Sequence, residues 1–143
     1  HQANGSIVAR LSATEYLLLG AMFDFGESVS ALELGWELND SANYLLPRQD
    51  SHAWIQLTGN WVALVMAKLC AVDLSAEAFT TGQIAQTSVA RINAMVMNVS
   101  DAQAPKFNIL CDRASVLYLW NVLLDAIVEF DGKAVGIDGL LST

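Results

Sequence analysis

The sequence predicts an all-α fold, a compact bundle of about five helices around a hydrophobic C-terminal helix. Apolar residues recur at helical spacing over several long segments. Three segments begin with a capping box, in which Ser or Thr is followed three residues later by Glu or Gln. The only two prolines, Pro47 and Pro105, stand between such segments. A chain of 143 residues has the length of one ordinary domain, and we expect residues 1–143 to form a single globular helical domain.

The first two capping boxes predict two helices in the N-terminal third of the chain. Ser12-Ala-Thr-Glu15 predicts a helix over residues 13–25, and Ser30-Ala-Leu-Glu33 predicts a second one that continues to about Asn39. Glycine disfavours the interior of a helix. Three glycines interrupt this region: Gly20, Gly26 and Gly35.

The middle of the chain predicts two longer helices. Asp50 or Ser51 is placed to cap a helix that runs to about residue 72, with Trp54, Trp61 and Val65 on one face. The third capping box, Thr80-Thr-Gly-Gln83, predicts a helix over residues 83–98. Residues 98–105 have the composition of a loop.

The last helix is predicted over residues 107–130, with Gly132 at its C-terminal cap. Its apolar part, residues 114–128, would span about 22 Å as a helix, which is short of the roughly 30 Å hydrocarbon core of a bilayer. We therefore expect a core helix and no membrane span. Minor short strands are an alternative for residues 6–11, 107–111 and 134–137.

The charge balance narrows the classes of partner. Fifteen acidic residues face seven basic ones, giving a net charge of −8. Phosphate binding requires a basic face, so we expect no direct nucleic-acid binding. Only 15% of the residues are charged, against about 25% in a typical soluble domain. This shortage favours a surface that is partly buried against another chain.

Two acidic groups are the predicted partner-binding residues. Asp125, Glu129 and Asp131 gather near the end of the last predicted helix, where the helix dipole already presents partial negative charge. Glu33 and Glu37 form a similar pair on the second predicted helix. We expect a cation from a basic protein to complete these surfaces. The alternative is an acidic face that meets only water.

The sequence contains no clear catalytic or metal-binding motif. His52 is the only internal histidine, and no metal-ligand spacing surrounds it. Asp50, Ser51 and His52 have the residue types of a catalytic triad, but consecutive residues at a helix start point in different directions. We expect an N-cap followed by a partly buried imidazole. We also expect Cys70 and Cys111 to be buried thiols, although the sequence leaves open whether they are bridged.

These observations predict a non-enzymatic protein–protein association module or a self-assembling, coat-like structural subunit. The alternative is a small acidic inhibitor or immunity-type protein that binds a basic protein partner. A hydrolytic enzyme using His52 or the pair Asp125 and Glu129 is the third hypothesis. We expect no cofactor and no metal, and the partner to be a second copy of the chain or a basic protein. We expect a cytoplasmic location, since no signal peptide is visible, although a signal that had been removed would leave no trace.

Overall fold

The structure is a computed structural model that describes residues 2–141. Over these residues the chain forms two antiparallel sheets with six strands in all, together with four α-helices. The predicted all-α bundle is therefore wrong, and the fold is mixed α/β. The chain divides into two compact units, one comprising the chain up to Arg48 together with the segment from Gly136 onward, and the other Gln49–Val135. That residues 1–143 act as one domain stays a prediction.

The first unit is built on a two-stranded hairpin. Strands β1 (Ile7–Arg10) and β2 (Tyr16–Leu19) pair antiparallel. A 3-10 turn over Met22–Asp24 leads into helix α1 (Glu27–Leu34), and helix α4 (Ile137–Leu141) belongs to the same unit.

The first capping box closes this hairpin instead of starting a helix. The backbone N–H groups of Leu11 and Ser12 donate to the carbonyl of Glu15 at 2.9 and 3.3 Å. The hydroxyl of Ser12 accepts from the backbone N–H of Thr14 at 3.3 Å. Serine can satisfy backbone donors in a turn as well as at a helix start, so the predicted helix over residues 13–25 is wrong.

The second unit is a four-stranded sheet covered by helices. Its strands are β3 (His52–Thr58), β4 (Ile84–Val89), β5 (Ile92–Asn98) and β6 (Lys106–Asp112). They lie in the order β3-β6-β5-β4, and every neighbouring pair is antiparallel. The helices are α2 (Val62–Ala67) and α3 (Val116–Ile127), and 3-10 turns precede and follow α3.

The hydrophobic core of the second unit lies on one face of this sheet. Ile55, Ile109 and Val96 stand opposite one another on β3, β6 and β5, and Ile109 and Val96 are fully buried. Met66 of α2 and Leu119 of α3 are fully buried in the same cluster. Each strand therefore points alternate side chains into this core and the intervening ones to the second face of the sheet.

Three predicted helices of this unit are replaced wholly or partly by strands. The segment 52–72 begins as β3, and the chain turns at Gly59, whose φ of +121° favours glycine, before α2. The predicted helix over residues 83–98 is the hairpin of β4 and β5, joined by Ala90 and Arg91 with φ of 50° and 69°. The last predicted helix begins as β6 and becomes helical only from Arg113 onward.

Several local predictions fit the structure. Residues 99–105 form the loop between β5 and β6, and the short strands expected near residues 6–11 and 107–111 are β1 and β6. No strand forms over residues 134–137. Cys70 and Cys111 are free, buried thiols. No helix within residues 2–141 combines the length and apolar character needed to cross a membrane.

Candidate functional site

The second face of the four-stranded sheet carries a row of side chains that differ chemically from the core. We call it the β3–β6 row. It comprises three cross-strand pairs: His52 with Asp112, Trp54 with Leu110, and Gln56 with Asn108. These residues alternate along both strands with the core residues, so their side chains share the face opposite the core. Two pairs of the row are polar, and an aromatic ring and a leucine lie between them.

The amide pair is the best-defined polar contact of the row. Gln56 Nε2 donates to Asn108 Oδ1 at 3.0 Å. Asn108 is only 1% exposed, whereas Gln56 is half-buried. Burying an amide is costly unless it is hydrogen-bonded, and this pairing reduces the cost. The carboxamide of Gln56 retains further hydrogen-bonding capacity at the more accessible end of the pair.

The opposite end of the row brings together the titratable residues. The hydroxyl of Ser51 and Nδ1 of His52 lie 2.8 Å apart. Asp112, which stands opposite His52, accepts a hydrogen bond from the backbone N–H of Ala114 at 2.7 Å and so caps the 3-10 turn before α3. His52 is half-buried, as expected, but it begins a strand and not a helix.

A second strand-end contact fixes the backbone beside these residues. The backbone N–H of Arg113 donates to the carbonyl of Ser51 at 2.9 Å. The guanidinium of Arg113 lies 3.8 Å from the carboxylate of Asp50. Both side chains are well exposed, so this ion pair contributes little to stability. Within residues 2–141 no cluster of three or more His, Cys, Asp or Glu residues is arranged to hold a metal ion.

The predicted acidic residues lie in both units. Glu33 is in α1 and half-buried, and Glu37 is exposed beyond the end of that helix. In the second unit, Asp125 is exposed on α3, Glu129 lies in the 3-10 turn after it, and Asp131 comes next with a φ of 54°. Glu129 already has a cation within the chain, because Lys68 Nζ lies 3.3 Å from its carboxylate. Partner binding at these five residues stays a prediction.

Sequence reasoning did not identify Gln56, Asn108 and Asp112. The available signal was the alternation in His-Ala-Trp-Ile-Gln-Leu-Thr over β3, where Ala53, Ile55 and Leu57 occupy every second position. Alternation of this kind is typical of a half-buried strand. Trp54 and Trp61 also fit helical spacing, and this spacing accounts for the wrong prediction of a helix.

Comparison with known proteins shows the relationship of the chain. The model of the GCVT N-terminal domain family matches residues 3–142. Heterotetrameric sarcosine oxidase from Corynebacterium sp. U-96, solved in complex with pyrrole 2-carboxylate, has a chain of similar fold with a TM-score of 0.73. The two are 24% identical, and the similarity covers 95% of this chain and 66% of that one. A search of curated proteins finds no match.

These findings correct the functional predictions. The association module, the coat-like subunit, the inhibitor and the hydrolytic enzyme are not supported, because the chain matches the GCVT N-terminal domain family over residues 3–142 and has a mixed α/β fold. The prediction that the chain is not part of an enzyme is wrong for the same reason. The similar chain is part of a heterotetrameric enzyme, and a protein partner for this chain stays a prediction. The chain belongs to the GCVT N-terminal domain family.

Proposed function

We propose that this chain is a folate-binding, aminomethyltransferase-like part of an enzyme that acts on a small amine together with partner subunits. The family match over residues 3–142 carries the proposal. The similarity to a sarcosine oxidase chain supports an amine substrate and partner subunits. A bound reduced folate supplies the nitrogen atoms that accept a one-carbon unit. The chain spans 66% of the length of the similar oxidase chain.

The chemistry of the β3–β6 row fits a folate. The heterocycle of folate has an edge that combines an amide with an amino group, and it therefore needs donors and acceptors side by side. A carboxamide offers both. Gln56 presents a carboxamide that is held by Asn108 at 3.0 Å, so its orientation is fixed before a ligand arrives. Preorganisation of this kind lowers the entropic cost of binding.

Asp112 offers a second way to recognise the same edge. A carboxylate can accept two hydrogen bonds from neighbouring N–H groups, and the backbone contact to Ala114 at 2.7 Å holds this carboxylate in place. Gln56 and Asp112 lie at opposite ends of the row, so one heterocycle would contact one of them.

Trp54 supplies the apolar surface between these two groups. Its ring is half-buried and lies between His52 and Gln56 on the same face of β3. Aromatic rings pack well against one another in offset or edge-to-face arrangements, and folate has two aromatic parts. A position on a strand also holds the ring more rigidly than a loop would.

Binding of 5-formyltetrahydrofolate, measured by isothermal titration calorimetry, tests this function. We expect Gln56→Leu or Asp112→Asn to weaken binding about tenfold, the loss of one good hydrogen bond to the ligand. Gln103→Leu is the matched control, because Gln103 is exposed in the loop after β5, and it should leave binding unchanged. The proposal is wrong if the wild-type chain does not bind, or if all three variants bind like the wild type.

A further inference from the structure

A long segment of the first unit exposes large apolar side chains. We call residues 22–46 the α1 segment, since they comprise α1 and the chain on both sides of it. Its most exposed members are Phe25 at 79%, Leu34 at 90%, Leu38 at 75% and Tyr44 at 80%. Apolar residues that are exposed singly are normal, but a concentration of them marks an interaction surface.

Helix α1 is attached to its unit by few contacts. An added Cβ at Gly20 would lie 3.1 Å from Val29, so Val29 packs closely against the chain after β2. Ser28 donates to Asp24 at 2.5 Å and holds the first turn of the helix. No residue of α1 is fully buried. A helix of eight residues is marginal in water unless its apolar side chains pack against a partner. The apolar side chains of α1 are not fully packed inside the unit.

The charge around these apolar residues has one sign. Between Arg10 and Arg48 the sequence contains six acidic residues and no Lys, Arg or His. The acidic residues are Glu15, Asp24, Glu27, Glu33, Glu37 and Asp40. The guanidinium of Arg48 lies 3.8 Å from the carboxylate of Glu15. Glu27, Glu37 and Asp40 are exposed within the α1 segment. Nothing basic inside this stretch of sequence offsets their charge.

We infer that the α1 segment is the docking surface for a basic protein partner, one that presents an apolar cluster surrounded by Lys and Arg. The apolar side chains provide the area to be buried, and the acidic ones select a cationic surface and speed its approach. A second copy of this chain would bring like charges together, and an anionic membrane would repel the segment. The inference rests on the proposed function only in assuming that the chain works with another protein.

Synthetic helical peptides provide a defined test. The probe is an amphipathic peptide of leucine and lysine, and its counterpart has glutamate in place of every lysine. We expect the full chain to bind the lysine peptide, and to bind it less as salt rises. Leu34→Ser combined with Leu38→Ser should weaken binding at least about tenfold. The pair Glu33→Gln and Glu37→Gln should weaken binding and flatten its salt dependence, and this pair keeps the test valid if the serine variants unfold.

The controls lie in the second unit. Leu117→Ser removes a leucine that is 70% exposed on α3, and Glu77→Gln removes an exposed acid. Both should bind the peptide like the wild type. Equal weakening by these controls, or equal binding of the glutamate peptide, would overturn the inference. So would self-association in sedimentation that Leu34→Ser abolishes, or binding to phosphatidylcholine vesicles, since these results identify a second copy or a membrane as the occupant. Folate binding by the same variants, measured by titration with 5-formyltetrahydrofolate, is a separate readout. Failure of the folate proposal can therefore be distinguished from failure of this inference.

Discussion

Lys68 Nζ lies 3.3 Å from the carboxylate of Glu129 and 3.1 Å from the carbonyl of Ala126, at the C-terminal end of α3. The same ammonium lies 5.8 Å from the ring centre of Phe130. One cation therefore meets a carboxylate, a terminal helix carbonyl and an aromatic face. Lys68, directly after α2, therefore supplies a counter-charge at the acidic end of α3.

Replacing Lys68 should destabilise the second unit. We expect Lys68→Met to lower the free energy of unfolding by about 1–2 kcal/mol, because it removes a cation at a helix C-terminus, a cation–π contact and a half-exposed ion pair. Glu129→Gln should cost less than about 0.5 kcal/mol, since the carbonyl and aromatic contacts remain. Urea unfolding measures both. Lys133→Met is the control, and an equal loss in that variant would show that general charge, and not these contacts, is responsible.

Gly132 occupies a position that has no room for a side chain. Its backbone N–H donates to the carbonyl of Ile127 at 3.0 Å, and the N–H of Asp131 donates to Val128 at 3.1 Å. This is the hydrogen-bond pattern that commonly ends a helix. An added Cβ at Gly132 would lie 2.6 Å from Cβ of Ile127. We expect Gly132→Ala to destabilise the fold by about 1–3 kcal/mol in thermal unfolding.

Gly35→Ala should stabilise the fold, in contrast to Gly132→Ala. Gly35 comes directly after α1 with a φ of −85° and a ψ of 0°, a conformation open to alanine. A Cβ added at Gly35 would have the carbonyl oxygen of Ala31 as its nearest neighbour, at an ordinary van der Waals distance of 3.4 Å. Replacing a glycine lowers the conformational entropy of the unfolded chain, so we expect Gly35→Ala to raise the free energy of unfolding by about 0.4–1 kcal/mol. Equal destabilisation by both substitutions would contradict the steric explanation for Gly132.

Asn98 joins the end of β5 to the loop before β4. Its side chain is buried, donates to the carbonyl of Phe79 at 2.6 Å and accepts from the N–H of Ser100 at 3.0 Å. Asn98→Ala leaves both backbone groups without this partner. We expect the free energy of unfolding, measured by chemical denaturation, to fall by about 2–4 kcal/mol. Asn93→Ala, at an exposed position of the same strand, should change stability by less than about 0.5 kcal/mol.

The loop between β5 and β6 should contribute a pH-dependent stabilisation. A hydrogen bond from Lys106, at 2.8 Å, and two backbone N–H groups lower the pKa of Asp101 from 3.8 to about 2. The charged form therefore stabilises the fold above a pH of about 4, and this stabilisation is lost as the pH falls toward 2. Thermal unfolding should show the wild type more stable than Asp101→Asn at pH 7 and equal to it near pH 2. A difference that persists unchanged at the acid end would refute this assignment.

The capping boxes explain why the fold class could not be predicted. Ser12 and Thr80 begin sequences that satisfy the pattern of a helix start, yet both lie in turns that lead into strands. Gln83 Oε1 accepts from the N–H of Thr80 at 2.6 Å, as it would in a capping box, but the chain then enters β4. A short local pattern specifies which backbone donors are satisfied, and the long-range pairing of β4 with β5 decides that a strand, and not a helix, comes after the turn.

The residues of the β3–β6 row were out of reach for a related reason. Gln56 and Asn108 are 52 positions apart in the sequence, and only the pairing of β3 with β6 brings them to 3.0 Å. The helical part of the last predicted helix was easier to predict, because Leu119 and Leu123, which are buried in the core, repeat at helical spacing on a segment that is helical. Helical periodicity is local, whereas a site built across two strands depends on a register that the sequence states only indirectly.

Amide chemical shifts of the ¹⁵N-labelled chain, recorded during titration with 5-formyltetrahydrofolate, show which residues of the chain contact the folate. We expect saturable shifts concentrated at residues 52–56 and 108–112. These shifts should be smaller in Gln56→Leu or Asp112→Asn and unchanged in Gln103→Leu. Shifts that map to other parts of the chain, or a spectrum that does not change at saturating ligand, would contradict the claim that this face of the sheet binds folate.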